Sequence, residues 1–187
     1  MDGNPLPLVP QVRVPAEGDT VTFDMGSADG AADEQPVHEV VTRPVRMDVR
    51  EATWADFALF LNDQGNECEG GQCLDIDADY VHLETYGDLY YPSAGFEDHP
   101  VVGVSWYAAD AYCKWRSWSQ LPSEAHWEMA AGACGTRSYP WGEDTPTCDL
   151  ALFEDCGESG PGAVCSLTAG NSREGTCDLA GNVAEWI

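Results

Sequence analysis

His99-Pro100-Val101-Val102-Gly103-Val104-Ser105-Trp106-Tyr107-Ala108-Ala109-Asp110-Ala111-Tyr112-Cys113-Lys114-Trp115 changes character at Ser105. From there a helix opens, with Trp106, Ala109, Tyr112 and Cys113 on one face at helical spacing. Downstream, Ser123 follows Leu121-Pro122 and caps another helix, with Glu124 in the first turn where the dipole favours a negative charge. That helix turns Trp127, Ala130 and Ala131 inward and stops at Gly132. Upstream, Thr53 is an N-cap with Asp56 three residues on, and Trp54, Phe57, Phe60 and Leu61 make a buried stripe. Three short strands precede it: Val21–Gly26, which ends in a glycine turn, Val37–Val41 and Val45–Val49. Pro44 belongs at an edge or turn, since it cannot donate to a ladder. Residues 1–18 are Pro-rich and read as an extended arm, leaving 19–187 as one domain. Residues 62–100 and 133–187, dense in Gly, Asp, Pro and Cys, read as loop, so the fold class is an irregular α+β domain.

The 187 residues include 8 Lys+Arg against 33 Asp+Glu, a formal charge of −25. With 43 % apolar residues and 7 Trp, the chain is too hydrophobic for a disordered acidic tail. The charge excludes a nucleic-acid or anionic-membrane binder, because both need clustered cations and Lys114 is the single lysine. No apolar run reaches the length of a membrane span, and Met1-Asp2-Gly3-Asn4-Pro5 is no signal peptide. Between Glu51 and Cys113 there are 13 carboxylates and no Lys or Arg, which makes either a solvated acidic face or cation sites. Asp75-x-Asp77-x-Asp79 starts like an EF-hand, but Tyr80 and Tyr86 stand where Gly and Glu are required. It is a solvated loop or a different metal site.

Eight cysteines set a second bound. Seven lie in loop-like contexts, and no C-x-x-C or His pair gives zinc spacing, so disulfides in an oxidising, extracytoplasmic compartment are the expectation. The missing signal peptide conflicts with this, unless the native start lies elsewhere or export takes another route. Cys68 with Cys73, Cys148 with Cys156, and Cys165 with Cys177 are spaced to bridge. The 12-residue separation in the last pair is worth about 3 kcal/mol in the chain-entropy model. Cys113 bonds Cys134 or stays unpaired.

Several segments together resemble the formylglycine-generating (sulfatase-modifying factor) family. They are Phe23-Asp24-Met25-Gly26-Ser27, Gln35-Pro36-Val37-His38-Glu39-Val40, His99 to Trp115, Leu121-Pro122-Ser123-Glu124-Ala125-His126-Trp127-Glu128, Tyr139-Pro140-Trp141-Gly142 and Gly181-Asn182-Val183-Ala184-Glu185-Trp186. Each is weak alone; six in the same order across 23–186 are specific. The resemblance implies a loop-rich fold related to C-type lectins and a structural Ca²⁺. Its ligands would be the Asp178 and Glu185 carboxylates with the Gly181 and Val183 carbonyls. The spacing suits calcium, which takes six to eight hard oxygens; the alternative is that Asp178 and Glu185 merely cap turns. The resemblance places a second calcium at Asp149 and the Leu150 carbonyl, with Asp155 as a further guess.

Catalytic members oxidise a sulfatase cysteine to formylglycine with O₂ at a Cu(I) held by two cysteines, and soft thiolates suit Cu(I). The resemblance implies that this pair lies after the segment matching 181–186. The chain stops at Ile187, so no catalytic residue is assigned and the domain is expected to be incomplete at its C-terminus. In the family, the cysteine matching Cys113 pairs within that later region. Ala184 stands where catalytic members carry a tryptophan lining the cleft, Gln120 where Arg is usual and His126 where Glu is usual. His126 reads as an exposed helix residue and His38 as a structural histidine near the core. Two functions follow: a family member inactive as this chain alone, or a calcium-stabilised lectin-like module without the copper site. The expected partners are a sulfatase-like polypeptide or another protein or glycan ligand.

Overall fold

The computed structural model describes residues 9–117, 119–157 and 160–187. Among the described residues, four antiparallel two-stranded sheets and three α-helices are joined by long loops, the irregular α+β architecture expected. Strand β1 (Gln11–Val14) pairs with β4 (Val45–Asp48), and β2 (Val21–Met25) with β3 (His38–Thr42). Pro44 sits in the turn between β3 and β4. Residues 1–8 of the expected arm lie outside the described residues. The rest is built into the domain: β1 pairs along its whole length, and Val9 and Val14 are buried.

Helix α1 (Trp54–Gln64) starts with the capping box read from Thr53 and Asp56. Its stripe of Trp54, Phe57, Phe60 and Leu61 packs on Leu74, Ala108 and Tyr112 to form one core. Each such side chain contributes about 1.5–3 kcal/mol on burial. The inward face of α2 (Trp106–Ser117) is rotated from the expected one: Ala108 and Tyr112 are buried, four residues apart, whereas Trp106 is 41 % exposed. Trp106 instead donates its indole N–H to the Ile187 carbonyl, at 3.0 Å. A second core joins Val14, Val21, Phe23 and Met25 to Met129 and Ala130 of α3 (Glu124–Ala131) and to Leu179. Trp127 and Ala131, expected inward, are only half-buried against it.

The loop expected over 62–100 contains two hairpins, β5 (Glu67–Cys68) with β6 (Gly71–Gln72), and β7 (Leu83–Tyr86) with β8 (Leu89–Pro92). The second turns at Gly87-Asp88, where Gly87 takes φ 65°. A two-residue hairpin needs that left-handed position, so the strand signal was local and was outweighed by the surrounding turn residues. His38 is a correction: it is exposed on β3, its Nδ1 3.0 Å from the Pro36 carbonyl, because the strand edge turns it to solvent.

Cys68–Cys73, Cys148–Cys156 and Cys165–Cys177 are bridged. Cys113 and Cys134 are free, which settles between the alternatives left open for Cys113 among the described residues. No helix among them is long and apolar enough to cross a membrane.

Candidate metal centre and adjoining cavity

The segment from Cys177 to Glu185 is pinned to the domain at several points. Cys177 is bridged to Cys165 and donates its N–H to the Val49 carbonyl at 2.7 Å. Asp178, in the left-handed region at φ 55°, accepts the Cys165 N–H through Oδ2 at 2.6 Å. Gly181, at φ 87°, lies against the Leu152 carbonyl so closely that a Cβ would meet it at 2.3 Å. Asn182, also left-handed, donates its N–H to that same carbonyl at 2.8 Å. Its side chain accepts the Gly162 N–H at 2.9 Å and donates through Nδ2 to both carboxylate oxygens of Glu51 at 3.1 Å. Glu185 accepts the Trp127 indole N–H at 2.5 Å.

Three carboxyls meet here electrostatically. Burial pushes Glu51 up from the ordinary 4.5 to about 8, and the neighbouring Asp178 and Glu185 charges add to this against the Asn182 hydrogen bond. Burial also raises Asp178, opposed by the Cys165 N–H. Glu185 keeps solvent-accessible surface as a residue, yet protein crowds its carboxyl and raises it, with the Asp178 charge adding and the Trp127 N–H opposing. Among the described residues, no Lys or Arg forms an ion pair with any of the three. Such a set stabilises protons or a cation rather than free carboxylates.

The four oxygen sources expected on this loop therefore have distinct placements. Asp178 and Glu185 are brought near each other, and the Gly181 and Val183 carbonyls accept no hydrogen bond from the described residues. Two free carbonyls and two acidic side chains fit a hard cation such as calcium. Among the described residues no three His, Cys, Asp or Glu groups stand together closely enough to hold a metal by themselves. Asp149 is exposed in the turn at 148–150, beside the Cys148–Cys156 bridge that also holds exposed Asp155 nearby. The Leu150 carbonyl faces Gly170, where a Cβ would approach within 1.7 Å, so it packs on backbone. Asp75, Asp77 and Asp79 are all exposed, as a solvated loop requires.

Glu51 and Asn182 were not anticipated as site residues. Asn182 stood inside the recognised segment and is a residue that tolerates positive φ. Glu51 lies 131 residues from Asn182 in sequence, and nothing near it signals the contact.

A cavity of about 430 Å³ adjoins Glu51 and Glu185, between β4, α2, residues 119–122, α3 and the C-terminal segment. Glu51, Glu185 and Ala184 line it, with Cys113 and Thr176. Cys113 is pushed up to about 11 by burial and the Asp48 carboxylate, so it is a neutral thiol near pH 7. His126, also on the cavity wall, bridges the Thr42 and Ser123 hydroxyls at 3.0 and 2.9 Å; it is part-buried rather than exposed.

Residues 8–187 match the sulfatase-modifying factor enzyme 1-like domain. The chain belongs to the sulfatase-modifying factor family. It is similar to the formylglycine-generating enzyme of Streptomyces coelicolor, with 31 % identity over 94 % of this chain and 67 % of that one. It is equally similar to the inactive Cα-formylglycine-generating enzyme 2 of Bos taurus, with 31 % identity over 88 % of this chain and 66 % of that one. The serine/threonine-protein kinase Pkn1 of Chlamydia trachomatis is 33 % identical over 97 % of this chain, which spans 28 % of that protein's length. The family thus includes both an enzyme and a relative named inactive, on sequences equally distant from this one.

Proposed function

We propose that this stretch of a sulfatase-modifying factor protein is a calcium-stabilised scaffold and does not by itself oxidise cysteine to formylglycine. The observation that carries the reading is the state of its cysteines. Six are bridged, and the remaining two, Cys113 and Cys134, are both pushed up by burial, away from the thiolate. A Cu(I) site, which supplies O₂ chemistry in catalytic relatives, calls for a pair of thiolates. These residues do not fit it. Ala184 on the cavity wall points the same way, since a small side chain there offers little surface to grip a peptide. Incubation with Cu(I) and a peptide carrying the C-x-P-x-R sulfatase sequence is expected to give no formylglycine by mass spectrometry; product at the aldehyde mass refutes the reading.

The calcium half rests on Asp178, Glu185 and the free Gly181 and Val183 carbonyls, with the repulsion among Glu51, Asp178 and Glu185 supplying the driving force. Asp149 and the Leu150 carbonyl support a second calcium only if that carbonyl turns away from Gly170. At free calcium a hundred-fold above Kd, the bound ion adds about 2.7 kcal/mol, or roughly 5–10 °C in the thermal midpoint. EDTA is expected to remove that increment, and the double variant Asp178→Ala with Glu185→Ala is expected to be insensitive to EDTA. A wild-type midpoint that EDTA leaves in place rules the site out. Three disulfides support an oxidising compartment outside the cytoplasm, and a sulfatase-like polypeptide is the proposed partner.

The second reading, a non-catalytic lectin-like binding module, is favoured by one observation: large aromatic side chains that do not line the cavity stand exposed, including Tyr86 and Tyr91.

A further inference from the structure

We propose that the outer face of the β7–β8 hairpin is a docking surface for a basic, arginine-bearing polypeptide segment. Strand alternation divides the hairpin into two faces. Leu83 and Tyr90 turn inward and pack against the core built on α1. Glu84 opposite Tyr91, and Tyr86 opposite Leu89, make the outward face. Tyr86 is 83 % exposed, Leu89 45 % and Tyr91 46 %. Isolated exposed apolar residues need no explanation, but three large ones on one four-residue face make a patch.

The patch is a fixed platform. The Asn62 side chain on α1 accepts the Tyr90 N–H at 2.7 Å and donates to the Tyr90 carbonyl at 2.8 Å. Ser93 N–H bonds the His82 carbonyl at 2.8 Å, closing the base of the hairpin. A partner therefore meets a backbone already held in place, which lowers the ordering cost of binding. None of the four outward residues lines the cavity, so this surface is separate from the candidate metal centre.

Charge selects the partner. The hairpin lies within the stretch from Glu51 to Cys113, which carries 13 carboxylates and no Lys or Arg. Glu84 stands on the face itself, Asp88 is at its turn, and neither forms an ion pair among the described residues. Two tyrosine faces beside unpaired carboxylates match a guanidinium, which stacks on aromatic rings and donates to carboxylates in a planar fork. Lysine satisfies the charge without the planar stacking. A neutral saccharide can use the rings but gains nothing from the surrounding negative potential.

The test is fluorescence anisotropy with labelled alternating Arg-Gly, Lys-Gly and Ser-Gly peptides at physiological salt. The Arg-Gly peptide is expected to bind, the Lys-Gly peptide several-fold more weakly, and the Ser-Gly peptide not at all. Tyr86→Ser with Tyr91→Ser leaves the net charge unchanged and is expected to weaken Arg-Gly binding about ten-fold. Tyr107→Ser, at an exposed tyrosine off the hairpin, is expected to leave it intact. Equal affinity in the double variant means that the peptide senses only net charge and overturns the proposal. Binding of a neutral oligosaccharide to the hairpin without binding of the Arg-Gly peptide also overturns it. Should the double variant misfold, amide exchange on the wild type decides: Arg-Gly peptide must slow exchange within 83–92, and unchanged exchange there refutes the docking surface.

Discussion

Asp56→Ala is expected to destabilise the domain by about 3 kcal/mol or more, measured as a lowered urea midpoint of tryptophan fluorescence. Asp56 is 7 % exposed and holds three groups at once. Its Oδ2 accepts the Arg50 guanidinium at 2.6 Å, the Thr53 N–H at 3.0 Å and the Thr53 hydroxyl at 2.9 Å. Deleting it breaks the capping box and leaves a part-buried guanidinium and a buried backbone N–H without their acceptor. Arg50→Met with Asp56→Ala is expected to cost less than the sum of the single changes, because the pair is removed together. Burial alone raises the Asp56 carboxyl, but the Arg50 hydrogen bonds and charge and the Thr53 donors outweigh it and hold the group below 3.8. A lowered folded value means that the unfolded state binds the proton first. The contribution is therefore present in full well above pH 3.8 and is lost as pH falls through the lower folded value. Wild type is accordingly expected to lead Asp56→Asn at neutral pH and to lose that lead in strong acid. A pH-independent gap between the two excludes ionisation as the cause.

The same capping box shows why parts of the fold were legible and others were not. Thr53 and Asp56 are three residues apart, and the stripe that follows lies within one helix, so local spacing carries the whole signal. The inward face of α2 differs from the one that helical spacing places at Trp106, Ala109, Tyr112 and Cys113. The Trp106 indole instead finds a carbonyl at Ile187, 81 residues away, and Ala108 takes the tightly packed position. Hairpin β7–β8 was hidden by composition: Gly87-Asp88 reads as one more loop dipeptide unless the alternation on either side is followed outward. The candidate site divides the same way. Asp178, Gly181, Val183 and Glu185 lie on one short loop and could be read together. Glu51, whose carboxyl burial pushes up to about 8, reaches them only through the path of the folded chain.

Gly181→Ala is expected to cost about 3 kcal/mol and, at the proposed calcium site, to weaken metal binding at least ten-fold, because two penalties coincide. At φ 87° any L side chain is strained. Gly175, at φ 90° with nothing within 4 Å of a Cβ, isolates that term, and Gly175→Ala is expected to cost about 1 kcal/mol. Gly181 adds a close approach, since its Cβ would stand 2.3 Å from the Leu152 carbonyl oxygen. That oxygen cannot rotate aside, because it accepts the Asn182 N–H. Relief must come from moving residues 181–182 away from Leu152, which carries Asn182 off Glu51 and displaces the Val183 carbonyl and the Glu185 carboxylate with it. The same motion links stability to metal affinity, so the two losses should appear together in Gly181→Ala and only the smaller stability loss in Gly175→Ala. Calorimetric calcium titration beside urea unfolding separates these outcomes. Equal stability losses in the two variants, or wild-type calcium affinity in Gly181→Ala, would show that the packing of Gly181 on Leu152 does not position the loop.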